Sequence, residues 1–210
     1  MLEILVLAFG VTLLFASVTN MLHSLIRILV VQGLILFAVT LLKSTQLNWL
    51  SFGFIALETL IFKTILIPWF LSDTIRHNAI HREVEAYVSN FFSLALMSVI
   101  FLGSFALAIF SEQQSGKLFP LEFGIAFATI IKGLFIIIAN KKLITHLMGY
   151  LIMENGIFLL SLAVGGDLPH IISLGISLDI MLSVLIAVLF IKRIKSTFDD
   201  ADSPGHLRED

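Results

Sequence analysis

Cysteine is absent from all 210 residues, which excludes disulfides, thiolate nucleophiles and iron–sulfur ligation by this chain itself. Charge is scarce too. Only 13% of residues are Asp, Glu, Lys or Arg, against about a quarter in average soluble domains. Many of the acids crowd into the tail, as Asp199, Asp200, Asp202, Glu209 and Asp210, so the net charge of -2 says little about partners. No basic patch speaks for nucleic acid. The alternating pattern of a membrane barrel is missing, and so are loops long enough to house an independent active site. The opening Met1-Leu-Glu-Ile-Leu5 has no basic flank and no small-residue cleavage site, so it is expected to begin a retained helix rather than a signal peptide.

What is present is apolar: 58% of the residues are hydrophobic and the mean hydropathy is +1.03. Seven apolar runs, at 2–20, 25–42, 52–71, 88–110, 121–139, 143–164 and 171–191, are each about long enough to cross a ~30 Å hydrocarbon core as a helix. Helices are the expected form, because lipid offers the backbone no other partners. The fold class is therefore an all-α integral membrane protein of about seven transmembrane helices. Counting Lys and Arg on alternate sides places Arg27, Arg76, Arg82, Lys141, Lys142, Lys192, Arg193, Lys195 and Arg208 together, with only Lys43 and Lys117 opposite. The richer side is expected to be cytoplasmic, which puts the C-terminus inside and the N-terminus outside.

Five charged residues fall well inside these runs: Glu58, Lys63, Lys132, Glu154 and Asp179. A charge at mid-bilayer costs about 2.5–3.5 kcal/mol on the insertion scale, so such residues face protein or water and commonly handle ions. The competing reading is a structural ion pair or, for the lysines, a side chain that reaches to the interface. Glu58 and Lys63 stand about 140° apart on an α-helix of 3.6 residues per turn and make poor mutual partners. Lys132 is then one candidate base for Glu58. Gly175, Asp179 and Ser183 recur every four residues as a small, polar stripe. Pro68 either kinks the third helix beyond Lys63 or ends it. His146, eight residues before Glu154, is either a relay or an ordinary interfacial histidine.

The second run aligns with the sixth, setting Gln32 against Glu154, and the third with the seventh, setting Leu57-Glu58 near Leu178-Asp179. Two parallel three-helix units are thus one reading, 1–87 and 121–195, with 88–110 as a spacer helix; chance similarity between apolar helices is the other. Residues 72–87 have the periodicity of a helix lying at the cytoplasmic interface. Within them Asp73, His77, His81 and Glu85 recur every four residues, but a solvated polar stripe is favoured over a metal face because the pattern lacks a His-Glu-x-x-His core. Residues 196–210 form an acidic tail expected to be disordered or ordered by a partner.

The stretch Lys141-Lys-Leu-Ile-Thr-His-Leu-Met-Gly-Tyr-Leu-Ile-Met-Glu154-Asn-Gly156, with the run around Asp179 ending in Lys192-Arg-Ile-Lys195, resembles subunit K of complex I and the corresponding three-helix subunit of multi-subunit sodium/proton antiporters. The overall length, the Met-Glu-Asn-Gly core and a lysine followed by Pro68 are similar to component E of hydrogenase-4. The resemblance implies a non-catalytic membrane-arm subunit in which Glu154 and Asp179 join a charged axis linking redox chemistry to proton or sodium movement. It implies antiporter-like and complex I-like membrane subunits as partners and a prokaryotic inner membrane as location. It places no cofactor in this chain, while nickel–iron and iron–sulfur centres would belong to partner subunits. Aspartate at 179 departs from the glutamate of subunit K and shortens its reach. The alternatives are a subunit of an antiporter without redox partners and a structural scaffold.

Overall fold

The computed structural model describes residues 1–19, 21–43, 58–77, 87–115 and 120–164. Among these the chain is helical throughout and has no strands. Helix α1 covers Leu2–Val18 and α2 covers Leu22–Lys43. A π-helical segment, Glu58–Leu66, runs straight into α3, Ile67–His77. Three long helices follow: α4 (Asn90–Ser115), α5 (Pro120–Ala139) and α6 (Leu143–Ala163).

Four of these, α2, α4, α5 and α6, are long and apolar enough to cross a membrane, and α1 is a shorter apolar helix. That is fewer than the seven expected. The seventh run, with Asp179, Gly175 and Ser183, and the acidic tail lie outside the described residues. The third run differs from expectation in form. Its described part, which begins at residue 58, is split between π and α geometry, and residues 72–77, expected at the interface, continue it; residues 52–57 of the run lie outside the described residues. Ile75 is buried in protein.

Proline accounts for the change of geometry. Pro68 has no N–H to give to a preceding carbonyl, so it fits only where a ladder restarts, here the first turn of α3. In the π segment hydrogen bonds run from i to i+5, and the 140° separation an α-helix would give positions 58 and 63 does not hold there. The segment lies against α2 at Gly33, where an added Cβ would stand 2.7 Å from the Thr64 hydroxyl and 3.4 Å from backbone atoms of Lys63 and Thr64.

Helices α5 and α6 form an antiparallel hairpin packed backbone to backbone. A Cβ on Gly133 would fall 2.6 Å from the Gly149 carbonyl oxygen and the Met153 backbone nitrogen, and one on Gly156 would fall 2.9 Å from the Ile130 nitrogen. Small residues allow this approach, which gains dispersion contacts where lipid supplies no hydrophobic drive. Outward faces are apolar. Leu102 is 74% exposed, Ile138 76% and Phe91 83%, as suits surfaces that meet lipid tails rather than water.

The ends of the bundle are tied by polar contacts. At one end Lys43, closing α2, pairs with Glu122 in the first turn of α5 and donates to the Leu162 carbonyl on α6 at 2.7 Å. At the other end the Asn90 amide donates to the Val18 carbonyl at 3.3 Å, and the Tyr87 N–H donates to the Ala139 carbonyl at 2.8 Å. These ties gather the C-terminal ends of α1 and α5 with the N-terminal end of α4, as alternating crossings require.

Candidate functional site

Glu154 sits midway along α6, in a largely apolar stretch. It is 2% exposed, and its carboxylate stands 3.1 Å from the ammonium of Lys63, itself 6% exposed. The close approach at Gly33 brings the π segment, and with it Lys63, into the bundle. The Lys63 ammonium also lies 4.9 Å from the centroid of the Phe158 ring, one turn beyond Glu154. A carboxylate and a ring face thus share one buried cation, both contacts being electrostatically favourable in a low-dielectric setting. The 3.1 Å contact is an ion pair rather than an aligned hydrogen bond. Neither Glu154 oxygen accepts a well-directed hydrogen bond among the described residues.

A neutral polar chain begins at the next residue. The Asn155 amide donates to Gln32 Oε1 at 3.1 Å, the Gln32 amide donates to Thr12 Oγ1 at 2.9 Å, and Thr12 donates to the Phe9 carbonyl at 2.6 Å. All three side chains are buried. The chain links α6 to α1 through α2 and ends on backbone, so every member has a partner. Between Lys63, Glu154 and Asn155 lies a cavity of only about 10 Å³, bounded by Leu29, Ile67 and Leu151, at the limit of what one water needs.

Lys132, on α5, is elsewhere. It is 1% exposed, donates to the Ser93 hydroxyl of α4 at 3.1 Å, and its ammonium lies 5.0 Å from the Phe135 ring centroid. Among the described residues no carboxylate pairs with it. Neither lysine reaches the surface. The structure therefore brings Lys63 and Glu154 together and sets Lys132 apart. Glu58 opens the π segment, and its side chain, like all of Asp179, lies outside what is described. The expected pairing of Glu58 with Lys132 falls there too.

His81 and Glu85 lie outside the described residues, and no metal-binding cluster occurs among the described residues. His146 Nε2 donates to the Asn140 carbonyl at 2.8 Å, tying the turn between α5 and α6. Sequence reasoning passed over the Lys43–Glu122 pair and the Gln32–Asn155 contact. A signal for the first was present: Lys43 follows the second apolar run and Glu122 lies at the start of the fifth, on the side expected to carry few bases.

The chain is 26% identical over 189 residues to the uncharacterized protein Rv0085 of Mycobacterium tuberculosis, covering 86% of this chain and 83% of that protein. It is 27% identical over 78 residues to hydrogenase-4 component E of Escherichia coli, covering 37% of this chain and 36% of that protein, and matches component E of Shigella flexneri to the same extent. No known family profile matches the chain. No solved structure matches it.

Proposed function

We propose that this chain is a non-catalytic membrane subunit of a hydrogenase-4-like or complex I-like complex, and that it helps couple redox chemistry on partner subunits to proton or sodium translocation. The observation that carries the reading is the Lys63–Glu154 pair. It is buried between helices, and its carboxylate has no other hydrogen-bond donor among the described residues. A pair kept only for rigidity is a costly device, because desolvating two charges offsets most of their attraction. An ion-handling role gives the charge a reason to be retained. The local similarity to hydrogenase-4 component E and the four membrane-length helices support the same reading. On it Glu154, Asp179, Glu58, Lys63 and Lys132 form the ion pathway, and residues 121–195 are the unit resembling complex I subunit K. The seven-helix topology, with the N-terminus outside and the C-terminus in the cytoplasm, belongs to this proposal.

The test is purification of the tagged chain from its native membrane in mild detergent, with subunits identified and redox turnover assayed. Recovery with antiporter-like subunits and an active redox arm is expected. Recovery with antiporter-like subunits alone would favour the sodium/proton antiporter reading. Recovery of the chain by itself would contradict both.

A further inference from the structure

A second cavity, of about 40 Å³, opens among helix ends at the face that carries Lys141 and Lys142. Its walls come from the end of α1, the starts of α2, α4 and α6, and the last two turns of α5. Lys132 forms its inner wall and Thr145 and Asn140 line it nearer the helix ends. Lys132 lies seven residues from the end of α5, about 10 Å at 1.5 Å per residue. Two polar atoms on this wall have no partner among the described residues: Asn140 Oδ1 and Thr145 Oγ1 are buried there without a hydrogen bond, and their residues are 8% and 0% exposed.

These groups fit water better than an anion. The Asn140 amide nitrogen already donates to the Ile136 carbonyl at 2.7 Å, which fixes its oxygen as the free atom, and an anion has no proton to give that oxygen. Water can donate to Asn140 Oδ1, and water can accept from the Lys132 ammonium, at the two places where these groups line the cavity. The volume suffices for about three or four waters, at roughly 10–15 Å³ each. Leu25 and Ile136, which line this cavity, belong to one buried apolar cluster with Met148 and with Leu151, which lines the small cavity beside Glu154. Thr145 and Glu154 are nine residues apart on α6, about 13 Å along its axis, and the small cavity beside Glu154 shares no wall residue with this one.

We propose that this cavity is a hydrated entry holding a short file of waters that connects Lys132 to the aqueous phase on the Lys141–Lys142 face only, with the apolar layer closing it off from the Lys63–Glu154 pair. The proposal rests on reading the chain as membrane-spanning. It gives Lys132 a one-sided role: an ammonium proton can pass to the adjacent water, leaving the electron pair on Nζ, and return by the same route.

The absence of native cysteine makes the test direct. Thr145→Cys and, separately, Ser93→Cys are placed in the assembled complex in sealed vesicles and exposed to Ag⁺, a small thiol-seeking cation, from one face at a time. The remaining thiol is then counted by alkylation of this chain after denaturation. Lys141→Cys, exposed at the helix end, marks the face with a bulky impermeant maleimide, and Leu151→Cys reports the far side of the apolar layer, where it borders the small cavity beside Glu154. The expected result is loss of most alkylatable thiol at position 145 or 93 when Ag⁺ is on the Lys141 face, little loss from the opposite face, and none at 151 from the Lys141 face. Protection of both 145 and 93 from either face overturns the proposal, and so does equal loss from both faces. Labelling does not depend on pumping, so a hydrated entry in a complex indifferent to Glu154→Gln would separate this inference from the ion-pathway reading.

Discussion

Replacing Lys63 by methionine removes its charge while keeping a side chain of similar length. At the observed 3.1 Å and an effective dielectric of about 20, the attraction lost is about 5 kcal/mol. Contact with the Phe158 ring adds roughly 0.5–2 kcal/mol. Desolvation of both ions offsets much of this in the intact protein, but the single substitution leaves the Glu154 carboxylate buried with no donor among the described residues. Lys63→Met is therefore expected to destabilise by about 3–5 kcal/mol. Adding Glu154→Gln to that variant removes the stranded charge and should recover most of the loss. Thermal unfolding of the four members of this cycle, in one detergent, measures the coupling. The reasoning is refuted if the double variant's loss equals the sum of the single losses to within about 0.5 kcal/mol, the behaviour of independent sites.

Glycine substitutions should separate along the bundle: Gly133→Ala drives a Cβ into the α6 backbone and should cost about 1–3 kcal/mol, whereas Gly103→Ala, with nothing within 4 Å, should stay within about 0.5 kcal/mol. Melting temperatures in detergent decide between them. Gln32→Leu leaves both Asn155 and Thr12 without their mutual partner and should cost about 1–3 kcal/mol; Gln32→Leu with Asn155→Leu should cost less than the two single changes together, as read from the same melts. Glu122→Gln weakens the tie from Lys43 to the start of α5, and a loss of about 1 kcal/mol is expected because Lys43 is partly exposed, measured as faster protease cleavage near residue 120.

Apolar periodicity and length marked the runs that five of the described helices follow, because a chain in lipid has no other way to pair its backbone, but four of these rather than seven have membrane length and the form of the third run was missed. They also marked Lys63, Lys132 and Glu154 as residues needing partners. Which residues meet was not legible. Lys63 and Glu154 are far apart in the chain, on the third and sixth apolar runs, and their meeting depends on Gly33 admitting the π segment close to α2. No short-range pattern announces a π-helix; Pro68 signalled a break without saying what stood before it. The repeat alignment set Gln32 against Glu154, yet Gln32 instead bonds Asn155, one residue along. Small residues at 133, 149 and 156 were visible in the sequence, but pairing them required knowing that α5 and α6 fold back on one another. Lys43 and Glu122 were passed over because residues at helix ends read as ordinary interfacial charges until the third partner, the Leu162 carbonyl, is placed beside them.

Redox-driven ion uptake should be measured in vesicles containing the intact complex, comparing wild type with Glu154→Gln after each has been shown to assemble and to transfer electrons at the normal rate. Uptake should fall to a small fraction of wild type while electron transfer persists, with Asp179→Asn behaving in the same way. Undiminished uptake in Glu154→Gln would contradict an ion-path role and leave the Lys63–Glu154 pair as a contact that only holds helices together.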